Sequence, residues 1–340
     1  MILNTIINKF KIAKYKSRFN KEYNAFLIDK SNSSKGYAAF RKLFVLTQGK
    51  LNDDLSEKIN KQVGKYENIS MNGVLGNISS DELNSAVAQM RKEGYYIFEK
   101  KLSENDINTI YNYASQTPAS YIDVNNVKQA YTNEKVIFNK DNPVSPRYQF
   151  NDEEVFRCAP LQELIFDQSL FAFAQEYLGC KPILDIVAFW WSAPFGGKAK
   201  NAAAQMYHFD LDRIKFIKFF FYLTDVDAET GPHCYVKSSQ GTLPKEVNRD
   251  GRFEDDEIAT IYGKENLLEL TGKRGTIMAV DTRGFHKGKE LTKGERLLFQ
   301  IQYTNSMFGQ SYGKFDANSI DKQYADLIKK HSYSYSNISN

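Results

Sequence analysis

The sequence predicts an α+β fold, mainly β, in which helices lead into a β-sandwich or barrel. Three observations predict it. Helix-start signals lie in the first half of the chain. After Gly179 the chain breaks into short runs rich in branched and aromatic residues, separated by Gly, Pro and Asn. Within that second half, Gly275 to Asp281 alternates like a half-buried strand, and Arg296 to Tyr303 is a continuous strand-like run.

Residues 1–78 read as a mostly helical extension with glycine breaks. Lys9, Lys11, Lys14, Lys16, Arg18 and Lys21 occur with no acid before Glu22, beside Ile2, Leu3, Ile6, Ile7 and Phe10. That spacing suits an amphipathic helix, either resting on an anionic membrane or partner surface or packed on its own domain. Ser79 to Glu82 has capping-box spacing, and Ser103 to Asp106 is a weaker version of it. A third helix is expected from Asp167 to Gly179, with Leu170, Phe173 and Tyr177 on one face. The main domain then runs over 79–310, and 311–340 is a polar tail. The polar stretch from Lys245 to Lys264 interrupts the strands and is expected to form a lid.

Composition narrows the functional classes. With 340 residues, 42% hydrophobic and 25% charged, the chain can bury a large core and is not a disordered type. No stretch approaches the roughly 20 apolar residues of a spanning helix. The opening residues are too polar for a secretory core segment. Three cysteines, Cys158, Cys180 and Cys234, form no close pair, which argues against a disulfide framework or zinc knuckle and for a reducing cytoplasm. A net charge of +4 is too small to indicate a nucleic-acid partner.

The residues that carry chemistry are His208-Phe209-Asp210, then Gly284-Phe285-His286, then Arg296. In an extended segment, residues two apart share a face, so His208 and Asp210 can reach one metal. Asp212 extends the same face and competes for the carboxylate role, Asp210 being preferred because it is nearer His208 in the chain. Two histidines and a carboxylate are the facial ligand set of non-haem Fe(II), with coordination positions left open for O2. Arg296 suits bidentate capture of a carboxylate, the need of a 2-oxoglutarate co-substrate. Lys218 or Arg213 is next in line for that role. Trp190, Gln205, Tyr222 and His233 are candidate pocket residues, and Trp190, Trp191, Phe219 and Phe221 candidate apolar walls. Arg147 and Tyr148, or Lys198 and Lys200, could meet an anionic group.

An ordered series of motifs resembles the phytanoyl-CoA dioxygenase family of Fe(II)- and 2-oxoglutarate-dependent oxygenases. Met90 to Phe98 with Leu102 to Asp106 looks like its opening helix, glycine turn and strand. Ile186 to Pro194 resembles the strand ahead of the metal motif, and Gln205 to Asp210 its glutamine-containing HxD segment. Phe221 to Pro232 resembles its strand and acidic turn, and Tyr235 to Gly241 its following turn without the usual proline and histidine. The resemblance spans about 82 to 305. It implies a double-stranded β-helix (jelly-roll, cupin-like) core, and hydroxylation of a small organic substrate with release of succinate and CO2. Two other functional classes stand beside it. One is a cupin-type metal-dependent isomerase or lyase that takes His233 as a further ligand. The other is a non-catalytic binding module on the same fold, working through its basic N-terminal segment.

Overall fold

Helix ends fall where local chemistry places them. The Ser79 hydroxyl accepts from the Glu82 amide while the Glu82 carboxylate accepts from the Ser79 amide, starting the helix Ser80–Glu93. Gly94 ends it at φ 88, in the left-handed region that favours glycine, and the chain turns directly into the strand Tyr95–Lys101. Ser103 caps Glu104–Gln116, and Asp167 caps Gln168–Leu178, which Gly179 terminates at φ 82. The computed structural model describes residues 2–126, 130–196 and 204–339, with side chains from residue 8 onward.

Two sheets face each other. The larger is antiparallel and eight-stranded, in the spatial order Tyr95–Lys101, Thr276–Val280, Phe216–Tyr222, Arg296–Thr304, Ile183–Ser192, Arg147–Phe150, Ala119–Ile122, Tyr131–Val136. The smaller joins Leu267–Leu270, His233–Val236 and His286–Gly288. With helices on the outer face of the large sheet, this is an α+β jelly-roll architecture.

Strand parity sorts the aromatic residues between two cores. Trp190, Phe220, Tyr222 and Leu298 meet Tyr235 and Leu270 of the small sheet and fill the space between the sheets. Their sequence neighbours Trp191, Phe219, Phe221 and Phe299 point the other way, into the core beneath the helices, where Phe219 packs on Phe98 and Phe173. Of the four expected pocket walls, only Trp190 therefore faces the interior. Trp191, Phe219 and Phe221 are excluded because a one-residue step along a strand reverses the side chain.

The N-terminal helices Ile2–Asp29, Ser34–Leu46 and Lys50–Val63 brace the segment that carries His208. Phe44 packs on Phe209 at 5.3 Å, and the Asn52 side chain donates to the Ile214 carbonyl at 3.1 Å. Phe19 and Phe26 are buried against Phe308, whereas Phe10 is 74% exposed. Deleting residues 1–21 removes Phe19 from this aromatic cluster and exposes apolar surface on Phe40 and Phe308. The truncated protein is expected to melt several degrees below the full chain, and an unchanged Tm would show that residues 1–21 contribute no packing. Residues 311–339 also fold back on the body: Tyr335 and Ser334 are buried, and Phe166 stacks on Tyr324 at 4.3 Å. Among the described residues, no helix is long and apolar enough to cross a membrane.

Candidate active site

His208 and His286 are brought together by the backbone. Each donates its amide to the other's carbonyl, at 3.0 and 2.8 Å, in an isolated antiparallel bridge. The Asp210 amide donates to the Thr282 carbonyl at 2.7 Å. The HxD segment is therefore not the regular strand expected from its sequence. It is an extended stretch held by single bridges, Tyr207 to Phe253 and His208 to His286. The turn from Asp281 to His286 is itself anchored, because buried Asp281 accepts from the Tyr177 hydroxyl at 2.5 Å and pairs with Arg283. Gly284 gives this turn room, since a Cβ there would collide with the Tyr235 hydroxyl.

The donor atoms converge. His208 Nε2 lies 3.6 Å from one Asp210 oxygen and His286 Nε2 lies 3.4 Å from the other. The ligand atoms of His208, Asp210 and His286 all fall within 4.8 Å of one another. Both Nδ1 atoms sit 2.9 Å from main-chain carbonyls, those of Met206 and Gly284. A carbonyl only accepts, so each Nδ1 carries the proton and each Nε2 offers its lone pair to a metal.

Lys218 shapes the electrostatics. Its ammonium donates to Asp210 at 2.6 Å and lies 3.5 Å from Asp212. Burial opposes ionisation of Asp210, but Lys218, His286 and His208 together hold its carboxyl well below the usual range. Burial instead pushes Asp212 up, and Asp212 does not join the converging group. His208 is pushed down to about 3, by burial first and by His286 second. The folded protein thus refuses a proton that the unfolded chain accepts near pH 6.5. Stability from this source is complete above that pH and lost as pH falls toward 3, and the depressed Asp210 acts in the same sense. We expect the Tm of metal-free protein to fall across that window and His208→Gln to flatten the dependence; parallel profiles would remove His208 as the cause.

Arg296 lies in the interior and is 7% exposed. It donates to the Gly231 carbonyl and to Ser192 Oγ at 3.1 Å, and its Nε has no partner among the described residues. Burial draws its pKa down to about 10, and Arg147 adds repulsion. Trp190 and Gln205 line a cleft with Arg147, Ser192 and Arg296. The Tyr222 hydroxyl donates to the Leu270 carbonyl at 2.7 Å and accepts from the His233 amide at 3.0 Å. It ties the sheets together and has little freedom left for a ligand.

His233 stacks 5.4 Å from His286 and lies tilted 4.9 Å from Phe220. It faces the interior but stands outside the converging group, and burial with the surrounding charges pushes its pKa well below the usual imidazole value. Arg213 is committed elsewhere, paired with buried Asp185 at 2.6 Å. The Tyr148 hydroxyl already accepts from Val144 and Ser145 amides. Lys198 and Lys200 lie outside the described residues.

Sequence reasoning did not find the contact of Lys218 with Asp210. Parity puts Lys218 on one face with Phe220 and Tyr222 but does not tell which face meets the interior. The polar segment 245–264 holds a helix, Asp255–Tyr262, and is tied over the HxD segment. Phe253 bonds Tyr207, Asp255 pairs with Lys287 at 2.6 Å, and Asp250 pairs with Arg41 at 2.6 Å.

No protein-family model and no curated protein sequence matches the chain. Among solved structures it is similar to AviO1 from Streptomyces viridochromogenes Tue57, at 15% identity over 69% of this chain and 100% of that one, with TM-score 0.45. It is similar to SnoK, a non-heme alpha ketoglutarate dependent carbocyclase from nogalamycin biosynthesis, at 14% identity over 68% and 85%, with TM-score 0.46. It is also similar to EctD from S. alaskensis, solved with 2-oxoglutarate and 5-hydroxyectoine, at 15% identity over 71% and 82%, with TM-score 0.46.

Proposed function

We propose that this chain is an Fe(II)- and 2-oxoglutarate-dependent dioxygenase of the phytanoyl-CoA dioxygenase type that hydroxylates a small organic substrate. The observation that carries the reading is the convergence of two imidazole Nε2 atoms and one ionised carboxylate on a single point. That donor set fits ferrous iron and leaves coordination positions for a chelating keto acid and O2. When bound, iron with 2-oxoglutarate and O2 supplies oxidation of an unactivated C–H bond, coupled to loss of CO2 and formation of succinate.

The chain's own residues hold and orient. His208, Asp210 and His286 would hold the metal, with the Met206 and Gly284 carbonyls fixing both imidazole rings. Lys218 keeps Asp210 ionised and aims its second oxygen. Arg296, buried without a carboxylate, would bind the far end of 2-oxoglutarate. Trp190, Phe220 and Leu298 would exclude water from the interior. Residues 79–310 form the proposed catalytic unit, with 1–78 as a helical extension and 311–340 as a tail. A reducing cytoplasm is the proposed setting, which suits the free, buried Cys158, Cys180 and Cys234. Weak contact with an anionic membrane through residues 1–21 is a further part of the reading, testable by salt-dependent co-sedimentation with vesicles.

The decisive experiment loads full-length protein with Fe(II) under nitrogen, adds 2-oxoglutarate, and then admits air. Succinate formation that requires iron and 2-oxoglutarate and is lost in His286→Ala is the expected result. Ferrous iron bound at the triad without any 2-oxoglutarate turnover, across a panel of small substrates, would overturn the dioxygenase reading.

A further inference from the structure

We infer that Arg147 and the indole N–H of Trp190 form a second anion site beside Arg296, which takes a carboxylate or phosphate group of the small-molecule substrate. The inference rests on the proposed function for its assignment of Arg296 to the co-substrate. Strand register places the residues: Ser192 is paired with Arg147 on one side and with Arg296 on the other. Directly opposed residues share a face, so two guanidinium groups flank one serine across three neighbouring strands.

Arg147 does not lean on Arg296. Its guanidinium lies over the Trp190 ring at 4.2 Å, and it donates to Gln149 Oε1 at 3.1 Å. Three N–H donors in this cleft, Arg147 Nε, Trp190 Nε1 and Arg296 Nε, are buried with no acceptor among the described residues. Among the described residues neither arginine is paired with an acid. Lys289, a third cation lining the cleft, is neutralised by Glu269 at 2.6 Å. A cleft whose three unpartnered groups are all donors is complementary to an acceptor-rich anion, and a fixed guanidinium with an indole N–H is suited to oxyanions. The backbones of Arg147 and Arg296 stand two strand spacings apart, roughly 10 Å, so one carboxylate does not satisfy both while Arg147 stays on Trp190.

The chain contains only two tryptophans, and Trp191 faces away, stacked on Phe138 at 4.7 Å. In a Trp191→Phe background, Trp190 is the sole indole and reports directly on Arg147. We would titrate this full-length protein, loaded with Fe(II) under nitrogen, with inorganic phosphate, with and without saturating 2-oxoglutarate. The expected result is a saturable change in Trp190 emission in both conditions. Arg147→Gln should weaken phosphate by about tenfold or more, Arg147→Lys by about threefold because charge is kept and the fork is lost, and Arg296→Gln by less than about twofold. A non-saturable response, or one indifferent to both Arg147 variants, overturns the proposal. Displacement of phosphate by 2-oxoglutarate, with equal losses in Arg147→Gln and Arg296→Gln, overturns it too and assigns Arg147 to the co-substrate. Failure of the dioxygenase reading shows differently: 2-oxoglutarate does not bind, while phosphate still reports on Arg147.

Discussion

Asp210→Ala is expected to abolish metal binding and, in the metal-free protein, to cost stability as well. Both effects follow from the same carboxylate. Removing one of three ligands should lower metal affinity by more than about a hundredfold, the upper end of what loss of a mere supporting contact costs. The stability cost comes from Lys218, whose side chain is only 10% exposed and whose ammonium donates to Asp210 at 2.6 Å. A buried charge stripped of its partner typically costs about 3 to 5 kcal/mol. Asp212, 3.5 Å from the same ammonium, keeps part of the compensation, so we expect about 2 to 4 kcal/mol by denaturant unfolding. Adding Lys218→Met removes the stranded charge. The double variant should recover most of the lost stability and none of the metal affinity, because a buried ion pair replaced by apolar groups is often neutral. Metal titration that is unchanged in Asp210→Ala would take Asp210 out of the ligand set. A double variant no more stable than the single one would show that the ion pair is not what Asp210 contributes to the fold.

The parts of this site that were legible in the sequence are those set by short-range spacing. His208 and Asp210 are two apart, His286 follows a glycine turn, and Arg296 opens a strand-like run; each can be read without knowing what lies across the sheet. The helix caps at Ser79, Ser103 and Asp167 were readable for the same reason. What was not legible depends on pairing between distant segments. In the sequence Arg147 is one of several cations that could meet an anion, and its place beside Arg296 shows only once the register Arg147–Ser192–Arg296 is known, across residues that span about 150 positions. Lys218 lies inside the run Phe216–Tyr222, where every residue is buried, so the chain gives no polar alternation to show which face it takes. Trp190 and Trp191 are indistinguishable in composition and opposite in direction, and only strand phase separates a cleft residue from a core one. The HxD segment reads as a strand because it is free of Gly and Pro. It is held instead by two isolated bridges and by Phe44 of an N-terminal helix, a contact across 165 positions.

Arg296→Met is expected to separate function from stability. The guanidinium is buried, its Nε is unpartnered and it has no counter-ion among the described residues, and burial has already drawn its pKa down to about 10. Loss of the Gly231 and Ser192 contacts is offset by relief of that desolvation, and the Tm of ligand-free protein should not fall. The co-substrate has no such compensation. A charge-assisted contact contributes about 1.5 to 3 kcal/mol, which corresponds to roughly a 10- to 150-fold weaker 2-oxoglutarate. Metal affinity should stay within about twofold, since no ligand to the metal is touched and fixed outer contacts to His208 and His286 remain. Thermal shifts read both halves at once, because a ligand that binds only the folded state raises Tm in proportion to the logarithm of its concentration over Kd. Wild-type protein loaded with iron under nitrogen should gain Tm with 2-oxoglutarate, and the variant should gain little at the same concentration. An equal gain in both would place the carboxylate elsewhere, with Arg147 the nearest uncommitted guanidinium in the cleft, because Arg213 is already paired with Asp185.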